Sequence, residues 1–95
     1  MISIVGKRGS GKTVKLFEQA RKNNAMILTL NSHALREKAR ALGYNDIEIN
    51  GLGNLKNDDY SLAKPALVDE SPYFLAALLN KYYGIEMIGF NATEE

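Results

Sequence analysis

Residues 1–23, MISIVGKRGSGKTVKLFEQARKN, join a short β-branched apolar run to a glycine-rich turn and then to an amphipathic pattern. Met1 to Val5 reads as a strand ending at Gly6. Apolar Val14, Leu16, Phe17 and Ala20, set against polar Lys15, Glu18, Arg21 and Lys22, predict a helix over 12–23 that Asn23 and Asn24 stop. Residues 25–30 (AMILTL) are apolar on both faces, as in a parallel strand covered on both sides. Asn31 or Ser32 then caps a helix expected over 33–42, with Ala34, Leu35, Ala39 and Leu42 inward and Gly43 at its end. Residues 46–49 predict a short alternating strand and residues 50–64 a long loop. Residues 65–69 (PALVD) form a further buried-type strand, Ser71-Pro72 starts a helix reaching about Tyr83, and residues 85–90 (IEMIGF) form a last strand with Asn91 and Thr93 just past its end. Strands alternating with helices predict an α/β fold of one domain over residues 1–95, a three-layer α/β/α core around a mostly parallel sheet of four to five strands.

The whole chain, 95 residues with 45% hydrophobic and 24% charged content, has the composition of one globular domain. It has no cysteine and a single histidine, His33, which excludes a disulfide framework and thiolate or multi-histidine metal sites. No apolar run approaches the roughly 20 residues a membrane span needs, and none follows Met1 as in a signal peptide, so no membrane partner and a cytoplasmic location are expected. The net charge of +1 hides an asymmetry: residues 1–40 hold nine Lys/Arg against two Asp/Glu, and residues 41–95 hold three against nine. A basic first half suits an anionic ligand.

The turn supplies that ligand's chemistry. Gly6, Lys7, Arg8, Gly9, Ser10, Gly11, Lys12 and Thr13 fit G-x-x-x-x-G-K-[ST] between a strand and a helix. Its glycines let successive N–H groups, with that of Val14, point into one concavity at the positive end of the helix dipole. Lys12 is placed to hold β- and γ-phosphates, and Thr13 to give its hydroxyl to Mg²⁺, which prefers oxygen ligands. The strand ending at Val68 leads into two carboxylates: Asp69 is expected to bind Mg²⁺ through water, and Glu70 to orient and deprotonate an attacking water.

Residues 6–13 resemble a Walker A motif and residues 66–70 (ALVDE) a Walker B motif with its glutamate, so the chain resembles the P-loop NTPase superfamily, in the branch of RecA-like, AAA+ and helicase ATPases. The resemblance implies ATP and Mg²⁺ as cofactors, catalytic roles for Lys12 and Glu70, and a sensor strand ending at Asn91, with Thr93 as its rival. That strand would lie between the P-loop strand and the Walker B strand, giving the order P-loop, sensor, Walker B and then residues 25–30. Residues 26–42 are similar to a helicase segment that contacts single-stranded DNA, which would make Asn31, Ser32 and His33 DNA-facing; a capping Asn/Ser and a solvated histidine are the alternative. Ninety-five residues leave no room for a second RecA-like domain or a lid, so the arginine finger and the adenine pocket are unassigned, with Arg8, Arg36 and Arg40 as candidates acting across a subunit interface. An uncovered sheet edge at residues 1–5 or 25–30 predicts a homo-oligomer or a partner protein.

The leading expectation is thus an ATPase acting in nucleic-acid metabolism, its brevity that of a phage or mobile-element product. Lys7, Arg8, Lys15, Arg21 and Lys22 are candidates for DNA phosphates. Tyr73, Phe74, Tyr82 and Tyr83 read as core or interface before they read as a base-stacking platform. Ser10 to Thr13 with residues 69–74 (DESPYF) also resemble thymidine kinase, which makes a nucleoside or nucleotide kinase the enzyme alternative. A non-hydrolysing nucleotide-binding regulator is the other alternative.

Overall fold

The computed structural model describes residues 1–7, 9–51, 65–69, 79–80 and 84–93. Five strands and two helices are seen: β1 (Ile2–Gly6), α1 (Lys12–Asn23), β2 (Met26–Thr29), α2 (Ser32–Ala41), β3 (Ile49–Gly51), β4 (Ala66–Val68) and β5 (Met87–Thr93). All neighbours pair in parallel, in the order β1-β5-β4-β2-β3. The last strand therefore lies between the first and the fourth, as the order expected above requires, with β3 added outside β2.

This order explains the sides on which the helices lie. The connections β1→β2 and β2→β3 run across the sheet in one direction, so right-handed crossovers place α1 and α2 on the same face. There Leu16, Phe17 and Ala20 of α1 and Leu35 and Ala39 of α2 pack with Ala25, Ile27, Ile49 and Leu67. From β4 to β5 the chain steps back across the sheet in the other direction. Leu79, in a helical pair of residues, packs on the opposite face with Met26, Leu28, Ala66, Val68, Ile85, Met87 and Phe90.

Both helices end by turning the chain through a left-handed residue. Asn24 (φ 49°) lets Ala25 N–H reach the Ala20 carbonyl at 2.9 Å, and Gly43 lets Tyr44 N–H reach that of Ala39 at 2.8 Å. Tyr44 then packs on Phe17 with ring centroids 5.2 Å apart, while Arg21 stacks on its ring and forms a two-point ion pair with Asp46. Arg21 thus joins α1 to the α2–β3 loop through an exposed pair.

β5 is irregular where it meets β4. Ala66 pairs with Met87 and Leu67 with Gly89, so Ile88 is an extra residue, a β-bulge. Gly89 is there for lack of space: a Cβ on it would stand 2.6 Å from Ile2 Cβ, 2.6 Å from Leu67 Cδ2 and 2.7 Å from the Ile2 carbonyl oxygen.

Several expectations are corrected. The third strand covers Ile49–Gly51 rather than residues 46–49, because Ile27 N–H takes up the Glu48 carbonyl and the ladder starts there. Asn91 and Thr93 lie within β5, not past it, since β1 continues to Gly6 and pairs them with Ile4 and Gly6. Residues 25–30 are not an edge, because β3 covers β2 on that side; among the described residues the outer strands are β1 and β3. Ala34 and Leu42, read as inward, are exposed, Leu42 being the C-cap of α2, and Leu30, expected within the strand, is exposed past the end of β2. Of the helix expected over 71–83, only residues 79–80 are described; the remainder, with Tyr73, Phe74, Tyr82 and Tyr83, lies outside the described residues, as does the loop beyond Gly51. No helix among the described residues is long and apolar enough to cross a membrane.

Two predictions follow from these contacts. Gly89→Ala must push apart β1 and β4, so urea denaturation is expected to show a loss of about 1–3 kcal/mol with the slope unchanged. Arg21 holds the Asp46 carboxyl below its usual range. Its stabilisation is therefore complete above the ordinary carboxylate pKa and is lost as pH falls through the lowered one. Asp46→Asn should lose less stability on acidification than the parent, with the difference shrinking at high salt because the pair is exposed.

Candidate functional site

In a parallel sheet every strand delivers its carboxyl end to one rim. The register makes this quantitative. Ile4 pairs with Asn91, Val68 pairs with both Phe90 and Leu28, and Thr29 pairs with Gly51. Ile4, Asn91, Asp69, Thr29 and Gly51 therefore stand in one row, with Gly6 two residues further along β1. Phe90 and Ala92 belong to the cluster on the face opposite α1, so alternation turns Asn91 to the face of α1 and α2. Asn91 is buried, at 1% exposure.

The turn after β1 closes tightly. Ser10 N–H donates to the Lys7 carbonyl at 3.1 Å, and Gly9 and Gly11 both take φ of 82°, which a side chain would strain. Gly11 is the N-cap of α1 and supplies no side chain to cap it. Lys15 N–H finds the Gly11 carbonyl, but the N–H groups of Lys12, Thr13 and Val14 meet no acceptor among the described residues. Three donors at the positive end of a helix dipole form an anion site in embryo.

Lys12 adds a charge in the same place. Its residue is 8% exposed, and its Nζ donates to the Lys7 carbonyl at 3.1 Å. No acidic residue occupies the first turn of α1, and no described carboxylate pairs with Lys12. A lysine at the positive end of a helix dipole has no dipolar support for its charge, and an anion is the group that complements both.

Thr13 and Asp69 border one cavity of about 240 Å³, completed by Thr29, Asn31, Ala34, Leu35 and Lys38. The two residues expected to serve a metal, 56 positions apart in sequence, thus reach one space. Among the described residues no three His, Cys, Asp or Glu side chains gather. The donors at hand are oxygens, few in number, and that suits a Mg²⁺ completed by water and phosphate rather than an all-protein cage.

Other expected residues are placed differently. Asn31 Oδ1 accepts the Ala34 N–H at 3.1 Å, so the side chain caps α2; Ser32 is half-buried and His33 is exposed. Arg36 donates twice to the Ile49 carbonyl, at 3.0 and 2.6 Å, and Arg40 pairs with Glu37 at 2.9 Å, so both have partners within the chain. Arg8 and Glu70 lie outside the described residues, and so does the side chain of Thr93.

Thr29 and Lys38 were not anticipated. The signal for Thr29 was present, a lone hydroxyl near the end of the apolar run AMILTL. Lys38 carried none, because one lysine on a helix with several exposed cations is indistinguishable from a solvated one. No protein-family profile, curated protein or solved structure matches this chain.

Proposed function

We propose that the chain is a minimal P-loop NTPase that binds ATP with Mg²⁺ and hydrolyses it, on a three-layer α/β/α core. The observation that carries the proposal is Lys12, a largely buried lysine at the N-terminus of α1, where no side chain caps the helix, beside a cavity that joins Thr13 to Asp69. The position of β5 between β1 and β4 supports it as well.

In this reading the N–H groups of Lys12, Thr13 and Val14 bind phosphate oxygens, and the Lys12 ammonium exchanges the Lys7 carbonyl for the β- and γ-phosphates. Thr13 Oγ1 and the Asp69 carboxylate would hold Mg²⁺, which when bound neutralises charge on the phosphates. Glu70 follows Asp69 directly and takes the proton of the attacking water. Asn91 stands beside Asp69 in the row, where its amide can orient that water. With Arg36 and Arg40 engaged within the chain, a cation stabilising the transition state would come from a partner or a second copy. Nucleic acid is the substrate class on which such a motor would act.

The test is calorimetric ATP binding together with phosphate release, with and without single-stranded DNA. Lys12→Ala should weaken ATP binding by roughly 10- to 150-fold, the worth of a charged hydrogen bond. Glu70→Gln should keep binding and lose about 100-fold or more in turnover, as loss of a general base does. Equal binding by the parent and Lys12→Ala would refute the reading; binding without turnover under every condition would leave the regulatory module or, with a phosphorylated nucleoside as product, the kinase.

A further inference from the structure

β2 is apolar from Met26 to Leu28 and then places a hydroxyl, Thr29, at 3% exposure. A hydroxyl so removed from water needs a partner. Thr29 Oγ1 donates to Asp69 Oδ2 at 2.9 Å. The same residue is held through its backbone, since Asp69 N–H donates to the Leu28 carbonyl at 2.8 Å and continues the ladder one residue past β4. Asp69 is therefore fixed to β2 at two points. Thr29 and Asp69 both border the cavity that Thr13 enters. The hydrogen bond uses one carboxylate oxygen, and among the described residues no cation pairs with the other.

We propose that Thr29 is a positioning residue, holding the Asp69 carboxylate so that Oδ1 meets a water of the Mg²⁺ shared with Thr13 and the nucleotide. The inference rests on the nucleotide reading above and adds to it a residue outside both motifs. Its physical content is restriction of torsion. A carboxylate on one methylene can rotate about two bonds, and only some of its orientations present an oxygen to the cavity. A β-branched donor, itself stiff at χ1 and packed in the sheet, selects one of them.

Outer partners of metal-binding groups typically cost between about 10- and 100-fold in metal affinity when removed. The experiment uses the full chain with a non-hydrolysable ATP analogue and Mn²⁺, whose binding is read by electron paramagnetic resonance. The analogue's affinity is measured separately in EDTA. Thr29→Val should lower Mn²⁺ affinity in the ternary complex by about 10- to 100-fold while leaving metal-free analogue binding unchanged, and Thr29→Ser should restore it. Mn²⁺ affinity unchanged in Thr29→Val overturns the proposal. Equal loss of metal-free binding also overturns it, because Thr29 would then support the phosphate loop at large. A parent chain that binds neither analogue nor Mn²⁺ overturns the nucleotide reading itself. Should Thr29→Val not fold, a crystal structure of the parent with Mn²⁺ and analogue decides: Oδ2 on Thr29 with Oδ1 on a metal-bound water supports the proposal, and Oδ2 turned to the metal overturns it.

Discussion

Ile2 and Leu67 meet over Gly89 with no room for even a methyl group between them. That close approach lets β5 enter between β1 and β4, and the bulge beside it sets which residues of β5 face which layer. With Ile88 accommodated as the extra residue, Met87, Phe90 and Ala92 share one face, and Asn91 is left on the other. The placing of Asn91 in the row with Asp69 and Thr29 is therefore set by packing in the middle of the sheet, two residues before Asn91 and Asp69 on their strands. A bulge near a site commonly re-aims a side chain in this way.

Against that well-packed interior, the turn after β1 breaks local rules. A helix start ordinarily has an acidic or hydroxyl-bearing residue to satisfy its first N–H groups, and α1 has Gly11 and Lys12 instead. α2 shows the ordinary solution, with Asn31 capping and lysine and arginine gathered in its last turn. Two helices of one small domain, packed on the same face, thus share basic last turns and first turns without an acid, and differ in that a side chain caps α2 and none caps α1. Sequences commonly break such local rules at functional sites.

Much of this was legible because short-range chemistry wrote it. The bounds of α1 follow from periodicity and from Asn24, and the turn before it from the glycines at 9 and 11, both with positive φ. The order of the middle strands came from the resemblance, not from periodicity. The bulge at Ile88 was not legible, since pairing with two neighbours at once depends on residues far apart in the chain; Gly89 inside an apolar strand was the only hint. The link from Thr29 to Asp69 spans 40 positions and could not be read from spacing. The third strand slipped because alternation in residues 46–49 continues through a half-buried approach to the ladder. The catalytic part assigned to Glu70 rests on its place in the sequence.

The fork of Arg36 on the Ile49 carbonyl has a bearing on colloidal behaviour. Glu48 gives its carbonyl to Ile27, and successive carbonyls of a strand point to opposite sides, so the Ile49 carbonyl faces away from β2. A guanidinium therefore covers an outward acceptor on β3. Charged side chains discourage strand addition, so the fork that ties α2 to β3 also guards this strand against pairing with a second copy of the chain.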